Sequence, residues 1–235
     1  MNDETVGPAR APEANRDAWL VVPLYNEATV IRDVVSQARA TFPNVVCVDD
    51  GSGDRSAAEA AAAGAVVVSH PINLGQGAAI QTGLTYALAQ PGAEYFVTFD
   101  SDGQHQVEDA LAMVERLRAG EADVIFGSRF LDARTRPGAI KRVVLRLAVL
   151  FSNLTSGVRL TDAHNGLRAF NRTAAASLRI RQNRMAHASE IVEQVGRARL
   201  SYAEHPVHIL YTDYSRSKGQ SVLNSVNILT EMMYR

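Results

Sequence analysis

An α/β fold with a mainly parallel sheet is what this 235-residue chain predicts, and three observations lead there. Strand-like and helix-like stretches alternate at least four times before residue 130. The strand-like stretches are short, apolar and rich in β-branched residues, whereas the helix-like ones repeat apolar residues at three- and four-residue spacing. Polar clusters follow three of the strands: Tyr25-Asn26-Glu27, Asp49-Asp50 and Asp100-Ser101-Asp102. Such alternation gives parallel strands joined by right-handed helical crossovers, with helices on both faces. Ligands of these sheets sit beyond the carboxyl ends of the strands, where all three clusters fall.

In order, residues 19–22 read as a first strand that Pro23 stops. Residues 28–40 read as a helix through Val30, Ile31, Val34, Val35 and Ala38. A second strand over 44–48 runs into Asp49-Asp50-Gly51-Ser52-Gly53-Asp54, then an Ala-rich helix over 56–63 ends at Gly64. Residues 65–69 form a third strand, and the loop 70–77 opens a helix reaching about Ala89. The aromatic and β-branched run 95–99 is a buried strand, followed by a helix over 108–118 and a strand over 123–126. Gly75-x-Gly77-x-x-Ile80 lacks the third small residue of a dinucleotide fingerprint and follows the third strand, so it reads as a tight turn into a helix.

Composition sets the frame around these elements. A hydrophobic share of 46% with 21% charged residues fits a globular domain able to bury a core. The lone Cys47 lies in an apolar run, which excludes a disulfide framework and points to a reducing compartment. Residues 1–17 are polar, with Pro8 and Pro12, and read as a disordered tail and not a signal peptide. No apolar run approaches the roughly 18–20 residues needed to cross a bilayer. The net charge of −1 conceals a division: residues 127–184 hold twelve Lys/Arg against Asp132 and Asp162, or +10, leaving −11 elsewhere. That points to an anionic partner, phosphate or a membrane surface. Nucleic acid is disfavoured, because the basic stretch has few aromatic residues to stack on bases.

Asp100, Asp102 and Gln104 are spaced so that all three share one side if extension persists beyond the strand. Two carboxylates and an amide oxygen suit a hard divalent cation whose other ligands are water and phosphate. The bland alternative is a turn after a strand.

The ordered motifs Val22-Pro23-Leu24-Tyr25-Asn26-Glu27, Val48-Asp49-Asp50-Gly51-Ser52-Gly53-Asp54, Asn73-Leu74-Gly75-Gln76-Gly77 and Asp100-Ser101-Asp102-Gly103-Gln104-His105 resemble the family-2 glycosyltransferases of GT-A fold, in the branch of the dolichyl- and polyprenyl-phosphate sugar synthases. Gly127-Ser128-Arg129-Phe130, residues 161–170 and Ser217-Lys218-Gly219 continue the match. The resemblance implies one GT-A domain over 18–220, with a Rossmann-like mixed, mainly parallel sheet. It implies Pro23, Tyr25 and Glu27 around base and ribose, and Asp50, the Val48 backbone and Ser101 on the nucleotide. Asp100, Asp102 and Gln104 would hold Mg²⁺ or Mn²⁺ against the donor diphosphate. Arg129 would face phosphate, with an ion pair to a nearby carboxylate as its plain alternative, and Lys218 would close over the diphosphate from a loop where Gly219 permits movement.

Asp162 is the acid placed near the acceptor, as base, as a residue orienting arginines, or as a neutraliser of Arg159 or Arg168. His164, His187 and Glu190 are weaker base candidates. A hydroxyl acceptor requires a base within reach, whereas a phosphate acceptor is already anionic. The cluster Arg129, Arg134, Arg136, Lys141 and Arg142 favours phosphate. Residues 139–154 form a basic, apolar helix candidate suited to a membrane interface or to packing on the domain. The segment 221–235 reads as a C-terminal amphipathic helix open to domain packing, homodimerisation or membrane docking.

The expected protein is therefore cytoplasmic and peripheral to the inner membrane face. It would be an inverting, metal-dependent transferase that moves a hexose from a UDP- or GDP-linked sugar to a polyprenyl phosphate. A sugar or other hydroxyl acceptor, and a weakly active nucleotide-sugar-binding subunit of a membrane complex, stand as alternatives.

Overall fold

Pro23 does not end the first strand. In the computed structural model, which describes residues 14–131, 157–184 and 186–210, β1 runs Ala18–Leu24 and is buried throughout. It pairs with β2 (Asn44–Asp49) along Trp19 to Leu24, Pro23 opposite Val48, but with β4 (Tyr95–Thr98) only along Ala18 to Val21. Val21 accepts from Phe99 N on the β4 side, and Leu24 accepts from Asp50 N on the β2 side. Backbone groups alternate sides, so the N–H that Pro23 lacks would have faced β4 where that pairing has ended.

β3 (Val66–Ser69) lies outside β2, and the order across the sheet is β3-β2-β1-β4-β6-β5-β7. β5 (Val124–Ser128) and β7 (Tyr202–Pro206) run parallel to each other. β6 (Arg168–Asn171) is antiparallel to both its neighbours, β4 and β5. The sheet is mixed and mainly parallel, as the sequence predicts.

Helices cover both faces. Leu20, Val22, Val45, Cys47, Val97 and Ile125 point one way, into a core with α1 (Ile31–Arg39), α2 (Ser56–Ala62) and α4 (Val107–Arg118). Trp19, Val21, Val46, Val48, Phe96 and Phe126 point the other way. They meet α3 (Gln76–Leu88), α5 (Arg172–Ser177) and α6 (His187–Arg197). This period-two division explains why the strands read as continuous apolar runs. α1 begins at Ile31 and not at 28, because Glu27 O accepts the N–H groups of Val30 and Ile31 in a preceding turn.

The expected disordered tail does not extend over residues 14–17. Asp17 pairs with Arg118 and accepts from the N–H groups of Glu94 and Tyr95, and Asn15 Nδ2 donates to Thr41 O at 3.0 Å. Residues 1–13 lie outside the described residues, as do the helix candidates at 139–154 and 221–235. Among the described residues no helix is long and apolar enough to cross a membrane.

One reversed strand decides what meets what. The C-terminal ends of β1, β2, β4 and β5 open on one rim, and the antiparallel β6 brings its preceding loop, 157–167, to that same rim. The motif around Asp162 thereby faces the motifs after β1, β2 and β4.

Gly83 allows α3 to lie close on β1: a Cβ there would be 2.3 Å from Val21 Cγ1 and 3.2 Å from Val48 Cγ2. Gly83→Ala should cost about 1–3 kcal/mol by overpacking. Gly92→Ala, at φ +71° with open space around it, should cost only about 1 kcal/mol of backbone strain. Chemical denaturation measures both; a Gly83→Ala protein as stable as wild type would contradict the close approach of α3.

Candidate functional site

The loops after β1 and β2 are stitched to each other. Asn26, in the left-handed region at φ 54°, donates its N–H to Ser52 Oγ at 2.9 Å, while its Oδ1 accepts from Gly53 N at 2.9 Å. Glu27 N donates to Ser56 Oγ at 2.7 Å. The Tyr25 ring stands out from this platform, 47% exposed, as a flat apolar wall. Pro23 and Val48 are buried in the ladder below it, so Asp49 and Asp50 are the β2 groups at the rim. Asp50 is buried and heavily engaged: it accepts from Leu74 N at 2.9 Å, Gly75 N at 2.7 Å and His70 Nδ1 at 2.7 Å. It thus fixes the loop that opens α3.

After β4 the backbone turns at once, with Gly103 at φ +74° and Gln104 N donating to Asp102 Oδ1 at 3.0 Å. Extension past the strand, the basis for placing Asp100, Asp102 and Gln104 on one side, does not occur. A carboxylate capping its own turn is cheaper than an extended run at a sheet edge. Asp100 points toward the β6 loop, where His105 Nε2 meets its Oδ2 at 2.9 Å and Gln76 Nε2 donates to its Oδ1 at 3.0 Å. Gly166 makes room: a Cβ there would lie 2.2 Å from Asp100 Oδ2. Burial alone would raise the Asp100 carboxyl, but His105 and the Arg168 charge outweigh it and hold it below the usual range.

Asp102 has the opposite fate. Burial, then the negative charges of Asp100 and Glu27, push its carboxyl up to about 6. Three acids thus crowd one place, with the compensating cation, Arg168, beside Asp100. Ser101 is buried within the turn. Among the described residues no three or more His, Cys, Asp and Glu side chains form a ready-made metal cage. The Asp102 carboxylate is an oxygen donor of the kind a hard cation takes alongside water or phosphate, whereas both Asp100 oxygens are already engaged by His105 and Gln76. The raised Asp102 carboxyl is the mark of a place where positive charge is wanted.

On the far side of the rim Arg129 and Asp162 are locked together. Arg129 Nε donates to Asp162 Oδ2 at 2.6 Å and its backbone N–H to the same oxygen at 3.1 Å. Asp162 is 1% exposed, and its Oδ1 has no hydrogen-bond partner among the described residues. Glu204 of β7 anchors this loop, accepting from Thr161 N and Oγ1 at 2.8 Å each. Asp162 therefore bonds Arg129, and not Arg159.

Between the two centres lies a residue that the sequence reading weighed only as a charge for Asp162 to neutralise, and the Asp162 charge does support it. Arg168, buried, donates Nε to Asn165 O and an Nη to Ala163 O, both at 3.0 Å, and its guanidinium lies 5.8 Å from the Phe126 ring centre. Burial lowers it to about 10, with Asp100 and Asp162 offsetting part of that cost, so it stays charged near neutrality. His164 and His187 lie close by, each lowered by burial and then by the Arg168 charge to about 4. Glu190, another base candidate, caps the 181–182 backbone: Gln182 N donates to its Oε2 at 2.8 Å. The partnerships of Asp100 with His105, Gln76 and Gly166 were also not read, because they depend on how the turn after β4, the start of α3 and the loop before β6 come together. Lys218, with Arg134, Arg136, Lys141 and Arg142, lies outside the described residues.

The model of glycosyl transferase family 2 matches residues 19–178 of this chain. The chain belongs to that family. The transferase is 31% identical to a protein of uncharacterised function from Methanocaldococcus jannaschii, over 94% of this chain and 93% of that one. It is 28% identical to a UDP-N-acetylglucosamine–dolichyl-phosphate N-acetylglucosaminyltransferase of Methanococcus voltae, over 94% of this chain and 96% of the relative. Among solved structures it resembles glucosyl-3-phosphoglycerate synthase from Mycobacterium tuberculosis, in complex with Mn²⁺, UDP and glucosyl-3-phosphoglycerate. That likeness has a TM-score of 0.66 at 20% identity, covers 91% of this chain and 79% of that one, and shows a shared GT-A fold.

A carboxyl lifted to about 6 from an ordinary 3.8 contributes stability below pH about 4 that is lost as pH rises through about 6. His164 and His187, held at about 4, contribute in the other direction, losing stability as pH falls from about 6.5 toward 4. In EDTA near neutral pH, Asp102→Asn should melt a few degrees higher than wild type. Its stability should also fall more steeply between pH about 6 and 4, and the stabilisation that Mn²⁺ gives wild type should be lost. A metal-free Asp102→Asn protein that melts lower would contradict the crowding of carboxylates.

Proposed function

We propose that this transferase moves a hexose from a nucleoside-diphosphate sugar to a polyprenyl monophosphate, with inversion, at the cytosolic face of a membrane. The carrying observation is the Arg129–Asp162 lock. The acid nearest the acceptor side is buried, with one carboxylate oxygen committed to the Arg129 backbone and side chain. That arrangement orients a cation more readily than it removes a proton. A phosphate acceptor, with its second pKa near 6, arrives as an anion and asks for no base. The M. voltae relative, named for a dolichyl-phosphate acceptor, supports the same class.

The proposed roles draw on the rim for the described residues and on the family resemblance for the others. Tyr25 gives the base an apolar wall, Glu27 and Asp50 offer acceptors to ribose and base, and Lys218 closes over the diphosphate. Arg129, held by Asp162, meets the acceptor phosphate, with Arg134, Arg136, Lys141 and Arg142 adding positive charge along the same stretch of sequence. An acceptor phosphate oxygen attacks the anomeric carbon from the face opposite the diphosphate. A new C–O bond forms as the old one breaks, and its electron pair leaves on the nucleoside diphosphate. Asp100, Asp102 and Gln104 would hold Mg²⁺ or Mn²⁺, which when bound stabilises the negative charge on that leaving group as a Lewis acid. Residues 139–154 and 221–235 are the segments proposed to meet the membrane or a membrane-protein partner.

A product assay with radiolabelled donor tests this. Lipid-linked product should form with polyprenyl phosphate and not with soluble sugars; transfer to soluble sugars alone overturns the proposal. Asp162→Asn, which keeps an oxygen for Arg129, should raise KM for the acceptor about ten- to hundredfold with the shape of the pH profile unchanged. Loss of the alkaline plateau in kcat would instead mark Asp162 as a base.

A further inference from the structure

Asp50 is nearly saturated by the protein itself, and the pattern of what is left bears on which base it reads. Its Oδ1 accepts from His70 Nδ1 at 2.7 Å and from Leu74 N at 2.9 Å; its Oδ2 accepts only from Gly75 N at 2.7 Å. A carboxylate cannot donate, so the 2.7 Å contact puts the proton on His70 Nδ1. His70 Nε2 meets the Thr82 hydroxyl of α3, which can donate or accept, at 2.9 Å. The imidazole is fixed at both ends, and its side chain is only 9% exposed. The loop cannot shift easily to release Asp50, since a Cβ at Gly75 would lie 2.2 Å from Asn183 O. Of about four acceptor positions on a carboxylate, three are used, and the remaining one is on Oδ2.

We infer that the Thr82–His70–Asp50 chain selects a nucleotide whose base offers one N–H donor, as the imide of uracil does, and that His70 is a specificity-determining, positioning residue. This rests on the reading above that Asp50 faces the base. Guanine presents two adjacent donors, N1–H and N2–H, which pair with a carboxylate through both oxygens. With Oδ1 filled by His70 and Leu74, one guanine donor would be buried without a partner, a costly outcome. Cytosine presents a lone pair at N3, which repels the carboxylate. The imide N–H of uracil satisfies Oδ2 and leaves nothing over.

Calorimetric titration of the full chain with UDP, GDP, CDP and N3-methylated UDP, each with Mn²⁺, tests this. UDP should bind about tenfold or more tighter than each of the other three. The methylated nucleotide needs no protein variant, so folding cannot confuse that comparison. His70→Ala should weaken UDP and narrow the UDP-to-GDP ratio by opening Oδ1. His70→Asn, whose amide N–H can replace the Nδ1 donor, should restore the ratio, and a merely structural His70 would leave that ratio unmoved in all variants. GDP binding as tightly as UDP, or methylated UDP binding like UDP, overturns the inference while the transferase reading stands. No binding by any of the four removes both.

Discussion

A single buried guanidinium holds this site in shape. Arg168 enters the interior at the start of the one reversed strand, and its charge lies close to both Asp100 and Asp162. Removing a cation from water costs several kcal/mol, and the cost is tolerable only with opposite charge and hydrogen bonds around it. Those are supplied by the carbonyls of Ala163 and Asn165, the Phe126 face and the two acids. The consequence is a division of labour between the two acids of the motif after β4. Asp100 is held inward by His105 and Gln76, with the Arg168 charge nearby. Asp102, two residues on, is left outside that compensation with its carboxyl raised.

The same reversal of β6 explains how a chain of ordinary α/β alternation acquires two centres on one rim. Parallel strands deliver the Tyr25, Asp50 and Asp102 loops there because their carboxyl ends share a side. An antiparallel strand delivers the loop before it, and so Asp162 reaches Arg129, which follows β5. Glu204 on β7 then ties the Asp162 loop to the next strand over. Buried His187 and half-buried His164 lie beside Arg168 as neutral rings, which avoids like-charge repulsion in a desolvated place.

Much of this was legible in the residues. Alternating apolar periodicities gave the order of elements to residue 130, and ordered motifs pointed to the family. Pro23 predicts a stop that does not occur, because β4 pairs with only the first half of β1 and leaves the proline without a ladder bond to lose. The i, i+2, i+4 spacing of Asp100, Asp102 and Gln104 suggested one shared face. Gly103, free to take positive φ, lets the chain turn instead, and Asp102 caps that turn. The plain alternative for Arg129, an ion pair with a neighbouring acid, is met by Asp162, 33 residues away. The partners Arg168, His105, Gln76 and Gly166 around Asp100 could not be read at all. For Arg168 and Gly166 the proximity depends on β6 inserting between β4 and β5; for His105 and Gln76 it depends on how the turn after β4 and the start of α3 fold back on Asp100, and none of this leaves a periodic trace.

Anomalous diffraction from crystals grown with Mn²⁺ and a nucleoside diphosphate tests the account most directly. A peak bonded to the Asp102 carboxylate and to the diphosphate is the predicted result. A peak that avoids Asp102, or nucleotide bound there with no metal between it and the acids, would contradict the account.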